Sequence, residues 1–145
     1  MPEPRLTERR KREVFDNASS ICEYCRSQQE CSPDPFSVEH IMPRARGGLN
    51  DFNNLALSCQ GCNGHKATKL EASDPMSSEF MPLFHPRQQQ WHEHFQWNDD
   101  FTLIIGLTGV GRATVETLQL NRPGVINLRR VLYTTGLHPP EERKQ

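Results

Sequence analysis

Five cysteines, Cys22, Cys25, Cys31, Cys59 and Cys62, form the strongest chemical pattern in the chain. Four of them make two Cys-x2-Cys pairs separated by the stretch Arg26 to Ser58. Two thiolates three positions apart on a tight turn can hold one side of a tetrahedral Zn²⁺, and a second such pair closes a structural site. Cys31 is left over. A disulfide framework is the other use for such cysteines. The odd count, and an N-terminus (MPEPRLTERRKREV) with charge but without the apolar run of a secretory signal, favour metal. The separation exceeds the ~15–20 residues of a compact zinc ribbon, so the segment between the knuckles is where function is expected.

That segment and its borders read Glu39-His40-Ile41-x-Pro43, Gly47-Gly48, Asn53-Asn54-Leu55, Cys59-x2-Cys62-Asn63 and Lys66. In order, spacing and residue type, Cys22 to Lys66 strongly resembles the HNH endonuclease family in its zinc-stabilised ββα-metal form; the resemblance covers under a third of the 145 residues. It implies a metal-dependent endonuclease that hydrolyses phosphodiester bonds in DNA, with structural Zn²⁺ on Cys22, Cys25, Cys59 and Cys62 and a catalytic Mg²⁺ or Mn²⁺.

The roles carried over are these. His40 matches the first histidine of the motif, the general base; an imidazole titrates near neutrality and can take the proton from water attacking phosphorus. In the family the acid before this histidine, here Glu39, turns to bind the catalytic metal, and a hard divalent ion suits its oxygens. Asn54 matches the central asparagine that holds loop and base by hydrogen bonds, although its place before Leu55 also suits an Asx-turn. Asn63 stands where many relatives have the final histidine, and its amide oxygen can still bind a hard cation. A further histidine ligand found in some branches falls on Ala67 and is therefore missing. His65, two residues from Asn63, belongs to a different helix face and reads as a phosphate contact or surface residue. Two protein ligands, with phosphate and water completing the shell, suit Mg²⁺ or Mn²⁺ better than tightly held Zn²⁺. One such ion would stabilise charge on the scissile phosphate and the leaving 3′ oxygen. Arg44, Arg46 and Lys66 flank these groups and could hold the nucleic-acid backbone, DNA or RNA, or serve as solvated charges.

The elements needed to position these residues are legible in part. Thr7 to Asn17 predicts a helix capped by Thr7, with Val14 and Phe15 turned inward. Phe36 to Ile41 alternates as a short strand ended by Pro43, and Asp51 to Leu57 leads back as its partner, which makes a hairpin with a long loop through Gly47-Gly48. Asn63 to Leu70 suits a short helix. Ala72 to His85, with Pro75 and Pro82, reads as loop. Trp91 to Trp97 alternates as a strand, Asn98-Asp99-Asp100 turns, and Phe101 to Leu107 returns. Gly109 to Leu120 and Pro123 to Thr135 are helix candidates, the latter with Val125, Leu128, Val131 and Leu132 on one face, Pro123 at its first position and Gly136 at its stop. The expected fold class is α+β: a ββα-metal HNH core over residues 20–70 pinned by a four-cysteine zinc site, an N-terminal helix, and a hairpin-plus-helices extension over 82–138. The extension is expected to pack on the core within one compact domain, 1–145. Trp91, Phe95, Trp97, Leu103, Ile105, Leu118, Leu128 and Val131 are its expected core contributors.

Composition bounds the alternatives. The apolar set is 34% of the chain, and the nine glycines raise it only to about 40%, below the ~45–50% of ordinary domains. A thin core in need of a metal follows. The longest mostly apolar stretch, Leu103 to Leu107, cannot span a membrane. Seventeen basic residues against 18 acidic give a net charge of −1, so any anion-binding face is local. Arg5, Arg9, Arg10, Lys11 and Arg12 cluster near the start, while Arg122, Arg129 and Arg130 could extend a nucleic-acid surface or lie on a polar helix face. Gly109-Val110-Gly111 lacks the rest of a dinucleotide fingerprint, with Thr114 and Arg129 at the positions that matter. His92-Glu93-His94 reads as packing beside tryptophans. A cytoplasmic location is expected from the charged N-terminal stretch, which lacks the apolar run of a secretory signal. The rival reading is a catalytically inactive zinc-stabilised module that binds nucleic acid or protein, against which Glu39-His40, Asn54 and Asn63 argue because zinc needs none of them.

Overall fold

The computed structural model describes residues 5–140; of the expected domain, 1–145, residues 1–4 and 141–145 lie outside the described residues. Helix α1 (Glu8–Asn17) starts where expected, with the Thr7 hydroxyl accepting from the Arg10 amide at 3.1 Å, and it buries Val14 completely. Strands β1 (Ser37–His40) and β2 (Leu55–Ser58) pair antiparallel, with Val38 opposite Leu57 and His40 opposite Leu55. All four residues of β2 are buried, so this strand is the floor of the domain and β1 its more exposed partner.

Helix α2 (Gln60–Lys66) follows β2 directly and completes the ββα order. It begins three residues earlier than the pattern predicts, inside the second knuckle, because the Cys59 sulfur accepts from the Cys62 amide at 3.5 Å as a helix cap. It ends at Lys66 rather than Leu70, since Ala67 takes a positive φ of 50°.

The stretch expected as loop carries a hairpin instead, β3 (Glu71–Ser73) with β4 (Phe80–Pro82). Its strands are only three residues long, and Pro82 sits at the end of one, where a missing N–H costs little. The expected strand from Trp91 is a single helical turn, α3 (Trp91–His94), followed by β5 (Phe95–Trp97), which pairs with β6 (Ile104–Gly106). Helix α4 (Gly109–Leu118) is capped by Thr108, whose hydroxyl accepts from the Gly111 amide at 3.0 Å, and α5 (Pro123–Thr134) opens on proline as predicted. Among the described residues no helix is long and apolar enough to cross a membrane.

One buried apolar cluster joins Val14, Tyr24, Leu55 and Leu57 to Phe84, Trp91, Phe95, Ile104, Leu118 and Leu120, so the knuckles and the C-terminal elements share a core. Four expected members of that core are not in it: Leu103, Ile105 and Val131 are 37%, 40% and 60% exposed, and Leu128 is only half-buried and stands outside the cluster. Helix α5 turns Val125 and, one turn on, Arg129 inward in their place.

Candidate active site and zinc knuckles

The Sγ atoms of Cys22, Cys25, Cys59 and Cys62 all lie within 4.8 Å of one another, and all four side chains are buried. The Cys25 and Cys59 sulfurs are 3.6 Å apart, close to the edge of ~3.8 Å that a tetrahedron with Zn–S bonds of about 2.3 Å requires. Cys31 stands outside the cluster. The thiols do not titrate alike. Burial pushes Cys22 well up, while hydrogen bonds from Cys22 and Cys59 draw Cys25 well down. Cys59 comes down to about 7 through its contact with Cys22, and Cys62 is pushed up by its three neighbours. Four thiolates this close repel, so the donor set calls for a soft divalent ion, and structural Zn²⁺ fits it.

A residue that spacing did not reveal completes the knuckles. Arg122, at the start of α5, donates through Nη2 to Cys59 Sγ at 3.3 Å and through Nη1 to Cys62 Sγ at 3.7 Å, with Nη1 also held by the Gln119 carbonyl at 3.1 Å. Gly61 makes room for it: a Cβ there would lie 2.4 Å from Arg122 Nη2. Burial opposes the Arg122 charge, but the thiolates around it more than compensate and hold it protonated. Arg129 is 3% exposed and donates to the carbonyls of Thr102 (2.8 Å), Leu120 (2.7 Å) and Cys25 (3.4 Å); burial brings it down to about 10. Both guanidiniums are engaged within the protein, that of Arg129 buried and that of Arg122 half-buried against the cysteine sulfurs. Arg87, likewise unmarked by any sequence pattern, forms a two-pronged pair with Glu23 at 2.6 and 2.9 Å and covers the Phe52 ring at 4.4 Å. Glu23 in turn accepts from the Leu57 amide at 2.8 Å.

His40 ends β1, half-buried, with Nε2 2.7 Å from Asn50 Oδ1. An amide oxygen only accepts, so Nε2 carries the proton and the Nδ1 lone pair is left for a proton from elsewhere. Sequence reasoning misses Asn50; its place after the Gly47-Gly48 turn is the signal that could have found it. Asn54 lies in the 3-10 turn Phe52–Asn54 and clamps the loop that follows His40. Its Oδ1 accepts from the Met42 amide at 2.7 Å, and its Nδ2 donates to the carbonyls of Met42 (3.1 Å) and Leu49 (2.9 Å). Gly48 closes against the same point, where a Cβ would fall 1.7 Å from the Met42 carbonyl oxygen. Arg44 and Arg46 sit exposed in a 3-10 turn of this clamped loop.

Glu39 and Lys66 stand elsewhere than expected. Glu39 is 6% exposed; its Oε1 takes a hydrogen bond from the Tyr24 hydroxyl, and its Oε2 lies 3.6 Å from Lys66 Nζ. Lys66 Nζ also donates to the Ile41 carbonyl at 3.1 Å, and the residue is 1% exposed, so it offers nothing to a phosphate outside. Burial pushes the Glu39 carboxyl up against the opposing pull of Lys66 and Tyr24, and burial with the Glu39 charge pushes Tyr24 well up. Asn63 is half-buried one turn before Lys66 on α2, and His65 is exposed. A two-ligand cation site on Glu39 and Asn63 does not stand open here, because both Glu39 oxygens are already engaged. His94 bonds Thr108 at 2.6 Å and lies edge-on to Phe84, which makes it a packing residue. Among the described residues, the four cysteines are the one group of three or more His, Cys, Asp or Glu side chains able to hold a metal.

Residues 22–69, the segment that carries His40, Asn54 and all four knuckle cysteines, match the family model for HNH endonuclease. No curated protein and no solved structure matches the chain.

Proposed function

We propose that this chain is an endonuclease that hydrolyses phosphodiester bonds in DNA, with His40 as general base. The observation that carries this reading is the His40–Asn50 bond at 2.7 Å, which holds Nε2 protonated and leaves Nδ1 as the basic nitrogen. Water gives its proton to Nδ1 as its oxygen bonds to phosphorus, the P–O3′ bond breaks, and the 3′ oxygen leaves with a proton from solvent. Arg44 and Arg46 would hold flanking phosphates from the loop that Asn54 clamps, a reading supported by their exposure there. A divalent ion such as Mg²⁺ or Mn²⁺, where bound, would supply charge stabilisation at the phosphate. Glu39 as it stands does not fit the task of holding it, and the proton transfer rests on the chain's own residues.

Nicking of supercoiled plasmid by the zinc-loaded protein tests the proposal. His40→Ala is expected to lose ~10²–10⁴-fold in rate while keeping its zinc content, circular dichroism and DNA affinity. Equal nicking by wild type and variant would refute His40 as the base, and preferential cleavage of an RNA of the same sequence would change the substrate. The buried pairing of Glu39 with Lys66 favours one rival, an inactive zinc-stabilised binding module. That rival predicts DNA binding without nicking in Mg²⁺ or Mn²⁺.

A further inference from the structure

Lys66 is a strongly hydrated ion type in a dry place. Its side chain is 2% exposed and that of Glu39 5%. An ammonium is buried only when its protons find partners, and those of Lys66 are the Glu39 carboxylate at 3.6 Å and the Ile41 carbonyl at 3.1 Å. These two partners are the residues immediately before and after His40. The remaining Glu39 oxygen is taken by Tyr24, which lies between the two cysteines of the first knuckle. One buried chain of polar groups thus ties the first knuckle, β1 and α2 together around the residue proposed as base.

We propose that Lys66 is the resident cation of this core: it takes the electrostatic place of a divalent ion at Glu39 and holds the strand on both sides of His40, so that Glu39 ligates no metal. Three features support this. Both carboxylate oxygens already have partners. Mg²⁺ and Mn²⁺ keep several waters when bound to protein, and with the Lys66 ammonium occupying the space 3.6 Å from this buried carboxylate no room is left for a hydrated ion. A second cation beside the same carboxylate would repel the ammonium at short range in a poorly screened setting. The inference concerns the metal and stands or falls independently of cleavage.

Mn²⁺ binding to the full zinc-loaded chain, followed by the loss of the free-ion electron paramagnetic resonance signal, tests it. Wild type and Glu39→Gln are expected to bind Mn²⁺ indistinguishably. Lys66→Met, which frees the carboxylate, is expected to bind it at least tenfold more tightly than wild type, and the Glu39→Gln/Lys66→Met double variant to lose that gain. Wild-type binding that weakens tenfold or more on Glu39→Gln, with zinc content and circular dichroism unchanged, overturns the proposal. A folded Lys66→Met that binds no better than wild type overturns it equally. Should Lys66→Met fail to fold, the comparison of wild type with Glu39→Gln decides alone.

Discussion

The arginines of the clamped loop and those of the C-terminal elements differ in what surrounds them. Arg44 and Arg46 extend from a loop whose backbone is fixed by Asn54 and Gly48, and both are exposed. Arg87, Arg122 and Arg129 reach back from residues beyond the HNH segment, and their guanidiniums end on Glu23, on two cysteine sulfurs and on three main-chain carbonyls. The first group lies at the exposed surface of the loop, whereas charge in the second completes the knuckles and hairpin from outside. The difference teaches that the HNH segment leans on the rest of the chain for more than apolar contact. A zinc ion on four thiolates carries a formal double negative charge, and Arg122 is the side chain placed to offset it.

The comparison breaks most visibly at the metal. Cys59→Ser removes a zinc ligand and the cap of α2 together, and since structural zinc contributes ~10–16 kcal/mol of binding free energy that is also folding free energy, the variant is expected to be largely unfolded at room temperature. Cys31→Ser, outside the cluster, is expected to leave the melting curve and a zinc content of one per chain unchanged. Elemental analysis and circular dichroism read both. Equal damage from the two would refute the ligand assignment.

Arg87→Met comes next. It leaves Glu23 buried without its partner, and breaking one side of such a pair costs ~3–5 kcal/mol. A urea titration is expected to show that loss, with Glu23→Gln/Arg87→Met recovering part of it. A loss under ~1 kcal/mol would mark the pair as surface-like and would detach the C-terminal elements from the hairpin's support. Arg122→Gln is expected to be milder at equilibrium but faster to release zinc to a chromogenic chelator, by about tenfold, the effect of ~1.4 kcal/mol from one charge-assisted contact. An unchanged release rate would show that the guanidinium fills space without steadying the sulfurs.

Much of the hairpin and its metal site was legible because both are written in local spacing. Two Cys-x2-Cys pairs, the alternation around Val38 and Leu57, and the Thr7 and Pro123 helix starts each involve neighbours in the chain. What was missed is non-local or too short. Arg122 meets Cys59 across 63 positions and Arg87 meets Glu23 across 64, and no periodicity marks either. The hairpin of β3 and β4 has three-residue strands that its prolines disguise, and the alternation from Trp91 runs through one helical turn before a strand begins. Glu39 sits at the motif position of a metal ligand, but which way its carboxylate turns depends on Tyr24 and Lys66, each distant in sequence. Helix α5 is legible in its bounds and not in its rotation, because its inward face includes a buried arginine that a hydrophobic pattern cannot contain.

The smallest effect on stability, and the sharpest contrast with the buried arginines, belongs to the loop. Arg44→Ala/Arg46→Ala removes two exposed guanidiniums from a loop whose shape is set by the Asn54 amide and by Gly48, neither of which is altered. Surface substitutions of this kind change folding free energy by about 0.5 kcal/mol or less, so the urea midpoint is expected to stay in place. DNA binding is expected to weaken by a similar factor on every sequence tested, since phosphate contacts carry no base information. The slope of log K against log salt should fall by about 0.9 for each lost contact. A double variant with the wild-type slope would place the DNA on another face, with the basic residues of α1 as the next candidates. Retention of binding with loss of nicking would instead mean that these arginines align the phosphate for His40 without contributing to affinity.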